Sequence, residues 1–217
     1  MTSRPDVRRV LRVLRPAALV PHVVRVNREY RLMFVADAAS SLGTMVSTLA
    51  FPLLVLHLGG SAVQAGSIAT VSLAVRLVLR LPAGAFVDRR DPFTVLVATD
   101  VVRLLALGSV PVVALLAVPT YPQLLAVALV DGLAGALFGP AVGVAVRDVA
   151  TRRQLPEAMA LDQAVQGAAN LAGPALGGVL FVAWPLLPFV VDAASYGLSA
   201  VLLTRVAGRP LTPSGWS

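Results

Sequence analysis

The chain has 217 residues, of which 57% are hydrophobic and 13% charged, against roughly 45–50% and about 25% in an average soluble domain; a water-soluble fold could not hide that much apolar surface. It contains no cysteine and only two histidines, His22 and His57, which excludes disulfides, thiolate metal sites and a Cys nucleophile and argues against a histidine-built metal centre, so no metal or cofactor is expected. The formal net charge of +7 rests entirely on arginine, and because those arginines sit between apolar runs they point to membrane orientation and not to nucleic acid as a partner.

Residues 1–31 read as a cytoplasmic basic arm carrying Arg4, Arg8, Arg9, Arg12, Arg15, Arg25, Arg28 and Arg31. Within it Val7, Val10, Leu11 and Leu14 fall at helical spacing with arginines between them, so a short helix lying on anionic membrane lipid and a disordered basic arm both remain open. Pro16 and Pro21 break the apolar stretch that a cleaved signal peptide would need.

Six apolar runs follow, at 32–56, 62–87, 93–117, 122–146, 158–183 and 186–206. Each reaches the ~20 residues that a helix rising 1.5 Å per residue needs to cross ~30 Å of hydrocarbon. The expected fold is therefore an all-α integral membrane bundle of six transmembrane helices over 32–206, with 207–217 as a cytoplasmic tail. That tail, with Arg209-Pro210-Leu211-Thr212-Pro213, reads as polar chain and not as a linker into a further span.

The short connectors alternate in charge. Arg89 and Arg90 mark the second, Arg147, Arg152 and Arg153 the fourth, and Arg205 and Arg209 the end, while the first, third and fifth carry no basic residue except His57. Cytoplasmic loops collect arginine, so both termini are expected in the cytoplasm of a multi-pass cell-membrane protein. Every run contains a proline, Pro52, Pro82, Pro111, Pro140, Pro174 and Pro188, which predicts bent, mutually packed spans.

Two motifs carry more information. The second connector and its flank read Leu81-Pro-Ala-Gly84-Ala-Phe-Val-Asp88-Arg89-Arg90-Asp91-Pro92, and this resembles the signature between helices two and three of the major facilitator superfamily, roughly GxLaDrxGrr. Gly84, Asp88 and Arg89 match it, while Asp91 and Pro92 stand where the pattern has its second Gly and a basic residue; the siderophore- and macrolide-exporter branch also uses Asp at the former. Physically, Gly84 would let two helices approach, and Asp88 would cap exposed N–H groups and pair with arginine. The resemblance implies that Asp88, with Arg89, Arg90 and Asp91, gates one access state against a second six-helix half. An ordinary solvated loop is the plainer alternative.

The fifth run contains Ala169-Asn-Leu-Ala-Gly173-Pro174-Ala-Leu-Gly177-Gly178, which is similar to the superfamily's antiporter motif GxxxGPxxGG with Ala169 in place of the first Gly. Small residues at every fourth position make a flat face for close helix packing, and the resemblance implies that the Gly173-Pro174 helix works against the second half. Further likeness to the exporter branch spans Tyr30 to Val206, including Ala50 to Leu56, Asp100 to Arg103 and Val191 to Ser195, but covers only six of the family's twelve helices.

Charges inside the runs complete the reading, because each is costly at membrane depth. Asp37, Arg76, Arg80, Asp100, Arg103 and Asp131 are expected to form one mutually paired network. Asp131 has no basic neighbour in sequence, so it is read either as a carboxylate that loads and releases a proton or as the partner of Arg76 or Arg103. Together with the resemblance this implies a proton-coupled exporter of small, moderately apolar compounds, drug-like or siderophore-like, on a half-length chain. The alternative is a non-transporting half-exporter or membrane scaffold, with a homodimer or a second six-helix half as partner. No nucleophile with a base, metal cluster or phosphate loop supports an enzyme.

Overall fold

The structure, a computed structural model, describes Val24 and residues 27–207; the basic arm and the tail therefore lie outside the described residues apart from their inner ends. Six helices follow one another: α1 (Arg28–His57), α2 (Ala62–Val87), α3 (Pro92–Leu116), α4 (Tyr121–Val149), α5 (Leu155–Ala183) and α6 (Leu187–Ala207). All six are long and apolar enough to cross a membrane.

Local chemistry fixes the helix starts. Asn27 caps α1 by accepting from the Tyr30 N–H at 2.9 Å, and its amide donates to the Val149 carbonyl at 2.8 Å, tying α1 to the end of α4. Ser61 and Gln64 form a reciprocal capping box on α2. Asp91 caps α3 through the Thr94 N–H at 2.7 Å, with Pro92 at the first helical position. That is the capping role expected of Asp88, which instead ends α2 and is exposed. Pro52, Pro82, Pro111, Pro140 and Pro174 lie inside helices. Pro188 departs from the expectation of a bent span, since it is the second residue of α6, where its missing N–H would have no partner anyway.

The helices run up and down. One core cluster gathers Tyr30, Val87, Phe93, Val149, Ala158 and Val206, the other Leu54, Ala65, Leu107, Leu124 and Phe189. The first cluster joins the start of α1, α3 and α5 to the end of α2, α4 and α6. The arginines Arg28, Arg89, Arg90, Arg147, Arg152, Arg153 and Arg205 border it, so they mark one end of the bundle.

The principal contacts are α1 with α5 and α6, α4 with α2 and α3, and α3 with α6. This set is unchanged when α1–α3 are exchanged with α4–α6, the arrangement of two three-helix repeats. α2 and α5 are left outermost, each with four buried residues. Their outward faces carry Leu73, Leu77 and Leu81, and Leu171, Val179 and Val182.

Gly173 and Gly177 sit on the inward face of α5. A Cβ on Gly173 would collide with Met45, and one on Gly177 with the Val46 carbonyl, so these glycines let α5 lie directly on α1. The close approach of Gly173 and Gly177 is thus made to α1, within this bundle. By contrast a Cβ on Gly84 or Gly178 would meet nothing, so neither makes a close approach among the described residues.

Candidate functional site

Asp131 on α4 is the hub of the buried charges. Its Oδ2 takes the Arg76 Nη2 at 2.5 Å from α2, and its Oδ1 lies 3.3 Å from Arg103 Nε of α3. Arg103 also aims Nη2 at the Asp131 carbonyl, 3.4 Å away, and its guanidinium lies over the Tyr196 ring at 4.9 Å and near Phe138 at 5.6 Å. Gly135 makes this possible, because a Cβ there would run into both guanidiniums. Of the two side chains Arg103 is 4% exposed and Arg76 30%, so Arg103 depends more on the pair for its solvation. A carboxylate held by two guanidiniums is the paired alternative of the sequence reading, met here by both arginines at once.

The hub extends to α1 and α6. Tyr196 Oη is 3.5 Å from Asp131 Oδ1 and 2.7 Å from Thr44 Oγ1. Ser47 donates to Asp192, which is wholly buried. Gly43 lets α1 and α6 meet here, since its Cβ would strike Ser195 and Asp192.

Beside the hub opens a cavity of about 280 Å³, with Asp37, Ser40, Asp162, Gln166, Arg76 and Arg103 on its wall. Asp37 of α1 shares that wall with Asp162 and Gln166 of α5, and Gln166 donates to Ser41 Oγ at 2.6 Å. A smaller space of about 200 Å³ lies on the other side of the Arg76–Asp131 pair, bounded by Met45, Thr48, Phe51 and Ser72.

The expected single network is thus divided. Arg76, Asp131 and Arg103 are joined, while Asp37 stands apart from them on the cavity wall with Asp162. Asp100 is fully buried, its oxygens make no hydrogen bond among the described residues, and the Arg103 guanidinium one turn away turns to Asp131 instead. Arg80 is exposed and lines an outer hollow with Gly139 and Pro140, without an ion pair among the described residues. In the connector, Asp88, Arg89, Arg90 and Asp91 are all exposed at the arginine-rich end.

Sequence reasoning missed Asp162, Gln166 and Tyr196 and took Asp192 only as part of a likeness. Asp162 and Gln166 are four residues apart, so they share one helix face; that spacing was the available signal. Nothing local to α6 indicates that Asp192 faces Ser47.

These features define a multi-pass membrane protein with a charged cavity between repeated three-helix units. A family model described as the Major Facilitator Superfamily matches residues 33–216, and the chain belongs to that superfamily of transporters. It is 33% identical over 195 residues to the multidrug efflux pump Tap of Mycobacterium tuberculosis (strain ATCC 25618 / H37Rv), a match covering 82% of this chain and 45% of that protein. The pump of the same name from Mycolicibacterium fortuitum is 32% identical over 160 residues, 69% of this chain and 38% of its own. YfiS of Bacillus subtilis (strain 168), an uncharacterized MFS-type transporter, is 27% identical over 177 residues, 79% and 40% of the two chains. The chain spans less than half the length of these relatives.

Proposed function

We propose that this chain is the N-terminal half of a proton-coupled exporter of small, moderately apolar compounds, drug-like or siderophore-like, with its arginine-rich end in the cytoplasm. The carrying observation is the cavity of about 280 Å³ with two acids and two guanidiniums on its wall. Buried charge at membrane depth is costly and marks a pathway when it faces a cavity. The name of the Tap relatives, multidrug efflux pump, supports the substrate class.

The outward faces of α2 and α5 suit a second six-helix half that closes the cavity from the other side, and the exposed Asp88 carboxylate would engage that half in one access state. The test is dye retention in cells that lack their own efflux pumps and express the chain with a second six-helix half. Lower retention of a lipophilic dye, restored by a protonophore, is the expected result. Retention that never falls, or export indifferent to the protonophore, rejects the reading.

The same outward faces support a second reading, a membrane interaction protein that pairs with itself and transports nothing. In a chain without cysteine, Leu81→Cys and Leu171→Cys report such pairing by cross-linking.

A further inference from the structure

We propose that the groove between α3 and α4 at the arginine-rich end is a binding site for an anionic phospholipid, with an acyl chain laid along the groove and the phosphate on Arg90. The inference stands apart from the exporter reading, since it needs neither a second half nor transport.

The groove has a volume of about 600 Å³ and shares no lining residue with the charged cavity. Val130, Leu133 and Leu137 line it from α4, while Gly135 and Phe138 of the same helix face the charged cavity, so the two spaces lie on different sides of α4. On α3, Thr94, Ala98 and Val102 follow one another at steps of four and cover ~12 Å of the helix axis, a run along which hydrocarbon chain can lie. Ala98 and Ala134 are the smallest lining residues and give the groove its depth. Phe86, Val102 and Leu133 form the sides and are each 41–48% exposed. The floor offers no free polar group: the Thr99 hydroxyl is spent on the Val95 and Leu96 carbonyls of its own helix, at 2.9 Å each. Such a lining suits hydrocarbon and not a polar ligand.

The rim is different. Arg90 is the cation that lines the groove, and its guanidinium stands 5.5 Å from the centre of the Phe86 ring. The neighbouring Asp91 carboxylate does not take that charge: its Oδ2 accepts from the Thr94 N–H at 2.7 Å and from the Thr94 hydroxyl at 2.6 Å, and among the described residues Arg90 makes no ion pair. A guanidinium fork matches phosphate oxygens, so an exposed arginine above an apolar groove on membrane spans fits a molecule with a phosphate at one end and hydrocarbon at the other. Arginines outnumber acids at this end of the bundle, which selects an anionic headgroup over a zwitterionic one.

The test is native mass spectrometry of the purified chain in detergent, given equal amounts of dioleoyl phosphatidylglycerol and dioleoyl phosphatidylcholine. The chain is expected to retain the phosphatidylglycerol in preference. Arg90→Gln should weaken that retention about fivefold, the worth of one arginine beside an anionic headgroup, while Arg90→Lys should keep most of it. Ala98→Leu fills the groove from an exposed position and should reduce the retention of both lipids; Arg205→Gln, at the same end but outside the groove, should change neither. Circular dichroism of each variant checks that the helices are intact, and Val102→Trp blocks the groove at a second exposed position should Ala98→Leu lose them. Millimolar inorganic phosphate should not displace the lipid, because the acyl chain supplies much of the hold. Equal retention of the two lipids, retention indifferent to Arg90→Gln or to a filled groove, or displacement by free phosphate would overturn the proposal.

Discussion

Arg76 of α2 reaches Asp131 of α4 at 2.5 Å, and the same carboxylate holds Arg103 of α3, so one acid ties three helices together inside the bundle. Removing one partner of a buried ion pair strands the other, which costs about 3–5 kcal/mol. Asp131→Asn is therefore expected to lower the thermal midpoint of the purified chain markedly. Arg103→Gln should cost more than Arg76→Gln, because Arg103 is the less exposed, and the Arg76→Gln/Asp131→Asn cycle should be strongly non-additive. Full stability in Asp131→Asn would show that the carboxylate is not the fastener described.

The seam between α1 and α5 yields a steric prediction. Gly177→Ala places a methyl against the Val46 carbonyl, and Gly173→Ala one against Met45. Overpacking of this kind costs roughly 1–3 kcal/mol. Gly178→Ala and Gly84→Ala, which meet nothing within the bundle, should stay near the parent's midpoint in detergent unfolding.

In the motif connector the two aspartates have separable roles. Asp91→Ala removes the cap of α3 and is expected to lose about 0.5–2 kcal/mol of stability. Asp88→Ala, at an exposed helix end, should leave the unfolding midpoint unchanged and instead reduce export in the assembled transporter. Equal destabilisation by both would contradict the division.

The number of spans was legible in the sequence because hydropathy is summed along each segment, and it needs no knowledge of neighbours. Choice of partner is not local. Asp131 could be read as paired with Arg76 or Arg103 but not with both, since that requires α2 and α3 to lie side by side against α4 with Gly135 leaving room between them. Asp162 lies near the start of a span, where an acid is usually solvated; only the placement of α5 on α1 brings it to the cavity wall. The antiporter-like glycines were recognised as a packing face, but which helix they pack on depends on the exchange of α1–α3 with α4–α6, and no pattern within α5 contains that.

Orientation gives a prediction of its own. Reporter fusions after Leu58, Pro119 and Pro185 should read external and those after Arg90, Arg153 and Arg209 internal, following the arginine-rich end. A reversed order at any pair of neighbouring sites would overturn the topology.

The central claim is that the charged cavity belongs to a proton-driven exporter completed by a second six-helix half. The most direct measurement is dye flux into proteoliposomes under an imposed pH gradient, with the chain alone and together with that half. Flux is expected only when both halves are present and only while the gradient lasts. Flux by the chain alone as an uncross-linked monomer, or flux by the pair that ignores the gradient, would contradict the account.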